Sequence, residues 1–136
     1  MRARVGDVPR RARLVAEIAA TYLRVRRLQR RSTLPETLTA LRRPLDSPPR
    51  QPPVNRGDGI RLGQAVARTL RALRRDSRCL MQSLVLSDLL ARRDTATTLV
   101  IGVRPGENFL AHAWVELDGA PLLPPMDDEF VRLTEL

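Results

Sequence analysis

Residue types that carry much of enzyme chemistry are scarce in this chain of 136 residues, which has one cysteine, one histidine and no lysine. A single cysteine excludes an internal disulfide and a cysteine-rich zinc site, and it suits a reducing, cytoplasmic compartment. No apolar run approaches the roughly 20 residues that span a bilayer, and the N-terminus lacks the apolar stretch of a secretory signal. We therefore expect a cytoplasmic protein without a transmembrane segment.

Charge is distributed unevenly along the chain. Residues 1–93 contain 22 arginines and 7 acidic residues, a net charge of +15, whereas residues 94–136 carry a net charge of −6. A GC-rich coding bias would explain the arginines without any role, because arginine codons are GC-rich. The alternative is a basic face that binds nucleic acid or an acidic peptide.

Aromatic residues make up only 3% of the chain, although 43% of its residues are hydrophobic. The core must therefore be built mainly from leucine, valine and alanine. One tyrosine and one tryptophan leave little surface for stacking on bases. We expect no nucleic-acid partner.

Helical periodicity dominates the first two thirds of the chain. Apolar residues recur every three or four positions over about 9–31, 33–43, 60–75 and 78–92. Five prolines within residues 44–53 exclude a helix between the second and third of these segments. The pattern divides the chain into an N-terminal helical segment (1–45), a proline-rich linker (46–59) and a core (60–136).

The period changes after residue 93. Thr, Val and Ile in residues 95–103 predict a strand, and residues 109–117 and 120–123 predict two more. Asp118-Gly119 is a hairpin signal between the last two strands. The chain is therefore predicted to be an α+β protein, with N-terminal helices followed by a small antiparallel sheet.

Cys79 is predicted to lie at the start of the last helix, for which Asp76 or Ser77 offers an N-cap. Free N–H groups and the positive end of the helix dipole favour a thiolate at this position, and nearby arginines such as Arg78 add positive charge. The alternative is that Cys79 is a small buried apolar residue.

His112 is predicted to lie within a strand. Side chains alternate there, so that the imidazole shares one face of the sheet with Trp114 and Glu116. A structural histidine bonded to a backbone carbonyl is the alternative. A helix packed on the sheet could bring Cys79 to His112, and a thiol with an imidazole is the minimum pair for thiolate catalysis.

Three motifs carry a family resemblance: Cys-Leu-x-x-Ser-Leu at 79–84, Leu-Val-Ile-Gly-Val at 99–103 and Ala-His-Ala-Trp-Val-Glu-x-Asp-Gly at 111–119. In order and spacing they resemble the lasso-peptide leader peptidases, the B2 family. That family belongs to the transglutaminase-like, papain-related cysteine peptidases, whose nucleophile lies at a helix N-terminus. The specific match covers residues 60–123.

The resemblance implies that Cys79 is the nucleophile and that His112 activates it. A third, acidic residue should orient the imidazole, but Pro124 occupies the usual position about a dozen residues after His112. Glu116 and Asp118 lie about 13 and 20 Å along the strand, too far for contact. If Asp118-Gly119 is the turn, His112 lies opposite Pro125, and a small bend could bring Asp127 or Asp128, just beyond it, to the imidazole. We favour Asp127, with a Cys–His dyad as the open alternative.

The resemblance further implies a cysteine endopeptidase that removes the leader from a ribosomally made lasso-peptide precursor, without a metal or cofactor. The expected partners are the precursor leader, a separate leader-recognition protein of the B1 type and the lasso cyclase. Two alternatives stay open. One is a non-catalytic transglutaminase-like scaffold that binds peptide or maturation partners, and the other is acyl transfer to an amine rather than to water.

Overall fold

A computed structural model describes residues 7–42, 51–75, 78–104, 110–122 and 131–136. Four helices come first in these residues: α1 (Asp7–Arg31), α2 (Leu34–Leu41), α3 (Arg56–Ala72) and α4 (Cys79–Arg92). Four strands follow: β1 (Thr98–Arg104), β2 (Leu110–Leu117), β3 (Ala120–Pro121) and β4 (Val131–Glu135). The predicted α+β class is confirmed. None of the described helices combines the length and hydrophobicity needed to cross a membrane.

Polar side chains set where the short helices begin. Thr33 caps α2 through a reciprocal capping box with Glu36. Asn55 caps α3 by accepting the amide of Asp58 at 2.8 Å, so this helix begins at Arg56, four residues before its predicted start. The predicted linker therefore overlaps the first turn of α3, and its residues 46–50 lie outside the described ranges.

The start of α4 differs from the prediction. Its N-cap is Arg78, which makes no side-chain capping bond, whereas an N-cap at Asp76 or Ser77 was predicted. Asp76 and Ser77 themselves lie outside the described residues. The helix nevertheless begins with Cys79, as the sequence pattern indicates.

Helix α4 is the centre of the core. It contacts α1, α2, α3, β1 and β2, and nine of its fourteen residues are buried. The predicted apolar stripe of α1 packs against this core, where Ile18, Tyr22 and Val25 are buried. Because α4 is buried on most of its sides, its faces differ little in hydrophobicity.

Ion pairs tie α1 to the C-terminal half of α4. Arg93 holds Glu17 through two hydrogen bonds of 2.9 and 3.0 Å. Asp88, which is 1% exposed, lies 3.5 Å from Arg24 and 3.4 Å from Arg92. Burial raises the pKa of Asp88 despite the two arginines. Glu17 and Asp88 are thus both paired with arginines near the C-terminal end of α4.

The strands form one antiparallel sheet in the order β3-β2-β1-β4. Leu117 pairs with Ala120 around the tight turn, as the hairpin signal predicts. Asp118 and Gly119 both adopt positive φ values, 52° and 80°, which that turn requires. The position of β4 beside β1 was not predicted from the sequence. It places the end of the chain next to the centre of the sheet.

Gly102 provides room for the only tryptophan of the chain. It pairs with His112 across β1 and β2, and the ring of Trp114 lies over it. A Cβ atom at this position would lie 2.8 Å from two carbons of the Trp114 ring and 3.1 Å from the carbonyl oxygen of Val131. The missing side chain of Gly102 therefore leaves room for the indole beside the histidine.

Gly102→Ala should destabilise the protein by about 1–3 kcal/mol, because the indole must leave its position to avoid the new methyl group. Urea unfolding followed by the fluorescence of Trp114 measures this directly. Gly57→Ala is the matched control, since a Cβ there meets only Asn55 Oδ1 at 3.5 Å, and a helical Gly→Ala change is expected to be neutral or stabilising. Equal unfolding midpoints for the two variants would contradict the packing role of Gly102.

Candidate active site

Cys79 is the first residue of α4, and its thiol lies at the N-terminal end of the helix. The first amide with an acceptor inside the helix is that of Gln82, which donates to Arg78 O at 3.0 Å. The amides of Cys79, Leu80 and Met81 therefore have no acceptor within the helix. Such amides, together with the helix dipole, stabilise an anion at this end.

The N-terminal turns of α4 lie along an edge of β2. Val115 O accepts the amide of Leu122 at 2.8 Å, which shows that odd-numbered residues of β2 direct their backbone groups away from β1. Strand β3 pairs only with Glu116 and Leu117. The backbone groups of Ala113, farther along the same edge, are thus directed towards α4.

Two side chains of α4 bind the backbone of Ala113. Its amide donates to Cys79 Sγ at 3.4 Å, and its carbonyl oxygen accepts a hydrogen bond from Ser83 Oγ at 3.2 Å. Cys79 and Ser83 are four residues apart and so lie on one face of the helix. The pair satisfies both backbone groups of Ala113, and it fixes the sulfur relative to β2.

His112 immediately precedes this anchored residue and reaches the thiol. A hydrogen bond with His112 is the largest influence that lowers the pKa of Cys79. Partial burial opposes ionisation, whereas the amides of Ala113 and Leu80 and the charge of the imidazole favour the thiolate. The net result is a pKa below that of an ordinary cysteine, which is the property expected of a nucleophilic thiol.

The imidazole of His112 stacks on Trp114. Their ring centroids are 6.0 Å apart and the ring planes differ by 23°, a common offset arrangement of aromatic rings. Trp114 is buried, and its indole N–H donates to Glu116 Oε1 at 3.2 Å. The predicted common face of His112, Trp114 and Glu116 is therefore a continuous row of contacts.

Glu116 is held in place from β4. Arg132 donates to its two carboxylate oxygens at 2.7 and 2.9 Å, and Arg132 also binds Glu135. Burial of Glu116 opposes its ionisation, but the hydrogen bonds from Arg132 and Trp114 prevail and lower its pKa. The carboxylate of Glu116 thus fixes the indole of Trp114, and the indole in turn supports His112.

The structure brings together two of the three residues predicted for the site. Cys79 and His112 are in contact, whereas Asp127 lies outside the described residues. Sequence reasoning missed the roles of Ser83 and of the Ala113 backbone. The spacing of Cys79 and Ser83, one helical turn apart, was the available signal for the first. No side-chain pattern encodes the second.

Within the described ranges, no cluster of three His, Cys, Asp or Glu side chains is placed to hold a metal ion. The arrangement is instead suited to nucleophilic attack by sulfur. It combines a thiol of lowered pKa, an adjacent imidazole and amides at a helix N-terminus that have no acceptor within the helix.

We compared the chain with models of protein families, with curated proteins and with solved structures. A family model described as transglutaminase-like superfamily matches residues 12–135, which include every helix and strand from α1 to β4 in whole or in large part. No curated protein and no solved structure gives a significant match.

Iodoacetamide should alkylate Cys79 with a pH midpoint below the roughly 8.5 of free cysteine. Because a lowered pKa keeps the thiolate present at lower pH, the alkylation rate should fall only as the pH drops through that midpoint. His112→Ala should move the midpoint upwards, since it removes the main stabilising hydrogen bond. Measuring alkylation by intact mass across pH tests both expectations.

Arg132→Gln is a useful control, because Arg132 supports the row of contacts only through Glu116 and should move the midpoint much less. An unshifted midpoint in His112→Ala would show that the imidazole does not stabilise the thiolate.

Proposed function

Because the chain belongs to the transglutaminase-like superfamily, we propose that it is a cysteine endopeptidase that removes the leader peptide from a lasso-peptide precursor. That superfamily includes cysteine proteases. The observation that carries the proposal is the contact between the thiol of Cys79 and the imidazole of His112, at the N-terminus of a buried helix.

In the first half of the proposed reaction, the Cys79 thiolate attacks the carbonyl carbon of the scissile peptide bond. A C–S bond forms, and the electron pair of the carbonyl moves to its oxygen. Amides of the first turn of α4 lie where they can donate to this oxyanion. When the C–N bond breaks, the imidazolium of His112 gives its proton to the departing amine. The product is a thioester on Cys79.

In the second half, water replaces the amine. His112, now neutral, takes a proton from the water as its oxygen attacks the thioester carbon. The C–S bond then breaks, the thiolate of Cys79 is restored, and the leader departs as a carboxylic acid that loses the second proton of the water to solvent. An amine in place of the water would give acyl transfer instead. The same pair of residues supports both outcomes, and hydrolysis is the one we propose.

The lasso-peptide assignment rests on the three motifs at 79–84, 99–103 and 111–119 and on the way their residues meet. The cysteine and serine of the first motif contact Ala113 of the third. The glycine of the second, Gly102, accommodates the tryptophan of the third. Each motif thus contributes to one site. The proposed partners are the precursor leader, a separate leader-recognition protein and the cyclase that receives the released core peptide.

Cys79→Ala should abolish cleavage of the precursor, because no other residue of the chain supplies a thiol. The assay follows precursor and products by mass spectrometry, with the leader-recognition protein added. Arg61→Ala, an exposed change on α3, serves as the control for handling and expression. Fluorescence of Trp114 reports whether the fold is retained. Cleavage by the Cys79→Ala protein at the wild-type rate would contradict the mechanism. If the folded wild-type protein does not cleave the precursor either, a non-catalytic scaffold is favoured.

We further propose that Asp127 orients His112. Asp127→Asn should then slow cleavage by two or more orders of magnitude, since the imidazole would lose its charged partner. The neighbouring Asp128→Asn is the matched control and should cleave at a near-normal rate. Equal rates for wild type and Asp127→Asn would leave a Cys79–His112 dyad supported by Trp114.

A further inference from the structure

A pocket of about 390 Å³ lies between α1 and the start of α4. Five arginines line it: Arg26 and Arg30 from α1, and Arg74, Arg75 and Arg78 from the segment that leads into α4. Met81 contributes to the same wall. We refer to this feature as the arginine pocket. Its lining includes Arg78, the residue immediately before Cys79, whereas Cys79 itself faces Ala113 of β2.

The arginine pocket concentrates positive charge. Among the described residues that line it there is no carboxylate. Within the described part of the chain, Arg26, Arg30, Arg74 and Arg75 also form no ion pair, unlike Arg24 on the same helix, which pairs with Asp88 at 3.5 Å. Clustered guanidinium groups in a concave site produce a field that attracts anions.

Backbone hydrogen bonds hold two of these arginines in place. After α3 the amide of Arg75 donates to Leu70 O at 2.9 Å, and the amide of Arg74 donates to Arg71 O at 3.1 Å. Arg74 has a φ of 52°, the left-handed conformation that ends many helices. The ending of α3 therefore carries both arginines towards α1, where Arg26 and Arg30 lie one helical turn apart.

We propose that the arginine pocket binds a cluster of Asp or Glu carboxylates in the peptide substrate. The inference rests on the proposed function for the nature of the substrate. Guanidinium groups match carboxylates in shape and can donate two hydrogen bonds to each. Met81 of the pocket and Cys79 lie on different faces of α4, so the acidic segment would be bound on a side of the helix other than the one that carries the thiol.

Binding can be tested without any cleavage. We would use the Cys79→Ala protein and two fluorescein-labelled peptides of the same length, one with three adjacent Glu residues and one with three Gln residues. Fluorescence anisotropy should give at least tenfold tighter binding of the Glu peptide. The difference should shrink strongly between 0.05 and 0.5 M salt, because screening weakens the attraction.

Two double variants of α1 test whether the Glu peptide binds in the arginine pocket. Arg26→Gln with Arg30→Gln should weaken binding of the Glu peptide about tenfold. Arg27→Gln with Arg31→Gln is the matched control, since these exposed residues have the same spacing on the same helix and do not line the pocket. This control pair should change binding by less than twofold.

Three results would overturn the inference: equal affinity for the Glu and Gln peptides, equal losses in the two double variants, or tighter binding of a DNA oligonucleotide of equal charge. Failure of the proposed function would look different. In that case the Glu peptide would still bind through Arg26 and Arg30, but the protein with intact Cys79 would not cleave the precursor.

Discussion

The anchoring of the Ala113 backbone by α4 is the constraint on which the site depends. A strand edge with unpaired amides and carbonyls must find partners, and here Cys79 and Ser83 supply them from one face of a helix. The sulfur thus serves first as a structural acceptor. Because His112 adjoins Ala113, the same contact that docks the helix also sets the distance between thiol and imidazole. The contacts that pack α4 against β2 therefore also assemble the site.

The opposite side of His112 is fixed by a separate set of contacts. Trp114 stacks on the imidazole, Gly102 leaves the space for the indole, and Glu116 with Arg132 holds the indole N–H. Stacking can fix the plane of the imidazole, but it cannot select which ring nitrogen carries the proton. A carboxylate bonded to the ring would do that. The tryptophan therefore supplies part of what a triad acid supplies, and the proposed role of Asp127 is complementary to it.

The sequence predicted those features that leave a periodic or positional pattern. Alternation placed His112, Trp114 and Glu116 on one face, and Cys79 was placed in the first turn of a buried helix. The rest depended on tertiary contacts. Neither the pairing of β4 with β1 nor the early start of α3 has an apolar pattern that specifies it. No sequence pattern predicts the hydrogen bond from the Ala113 amide to the sulfur of Cys79 either, because every residue except proline has a backbone N–H donor.

No arginine of the pocket is among the described groups that lower the pKa of Cys79. The described influences that lower the pKa of Cys79 come from His112 and from the amides of Ala113 and Leu80, all in direct contact with the sulfur. An isolated carboxylate placed near the thiolate would oppose its ionisation. Carboxylates paired with arginines carry their neutralising charge with them. An acidic substrate could therefore occupy the pocket while the local hydrogen bonds continue to lower the pKa of Cys79.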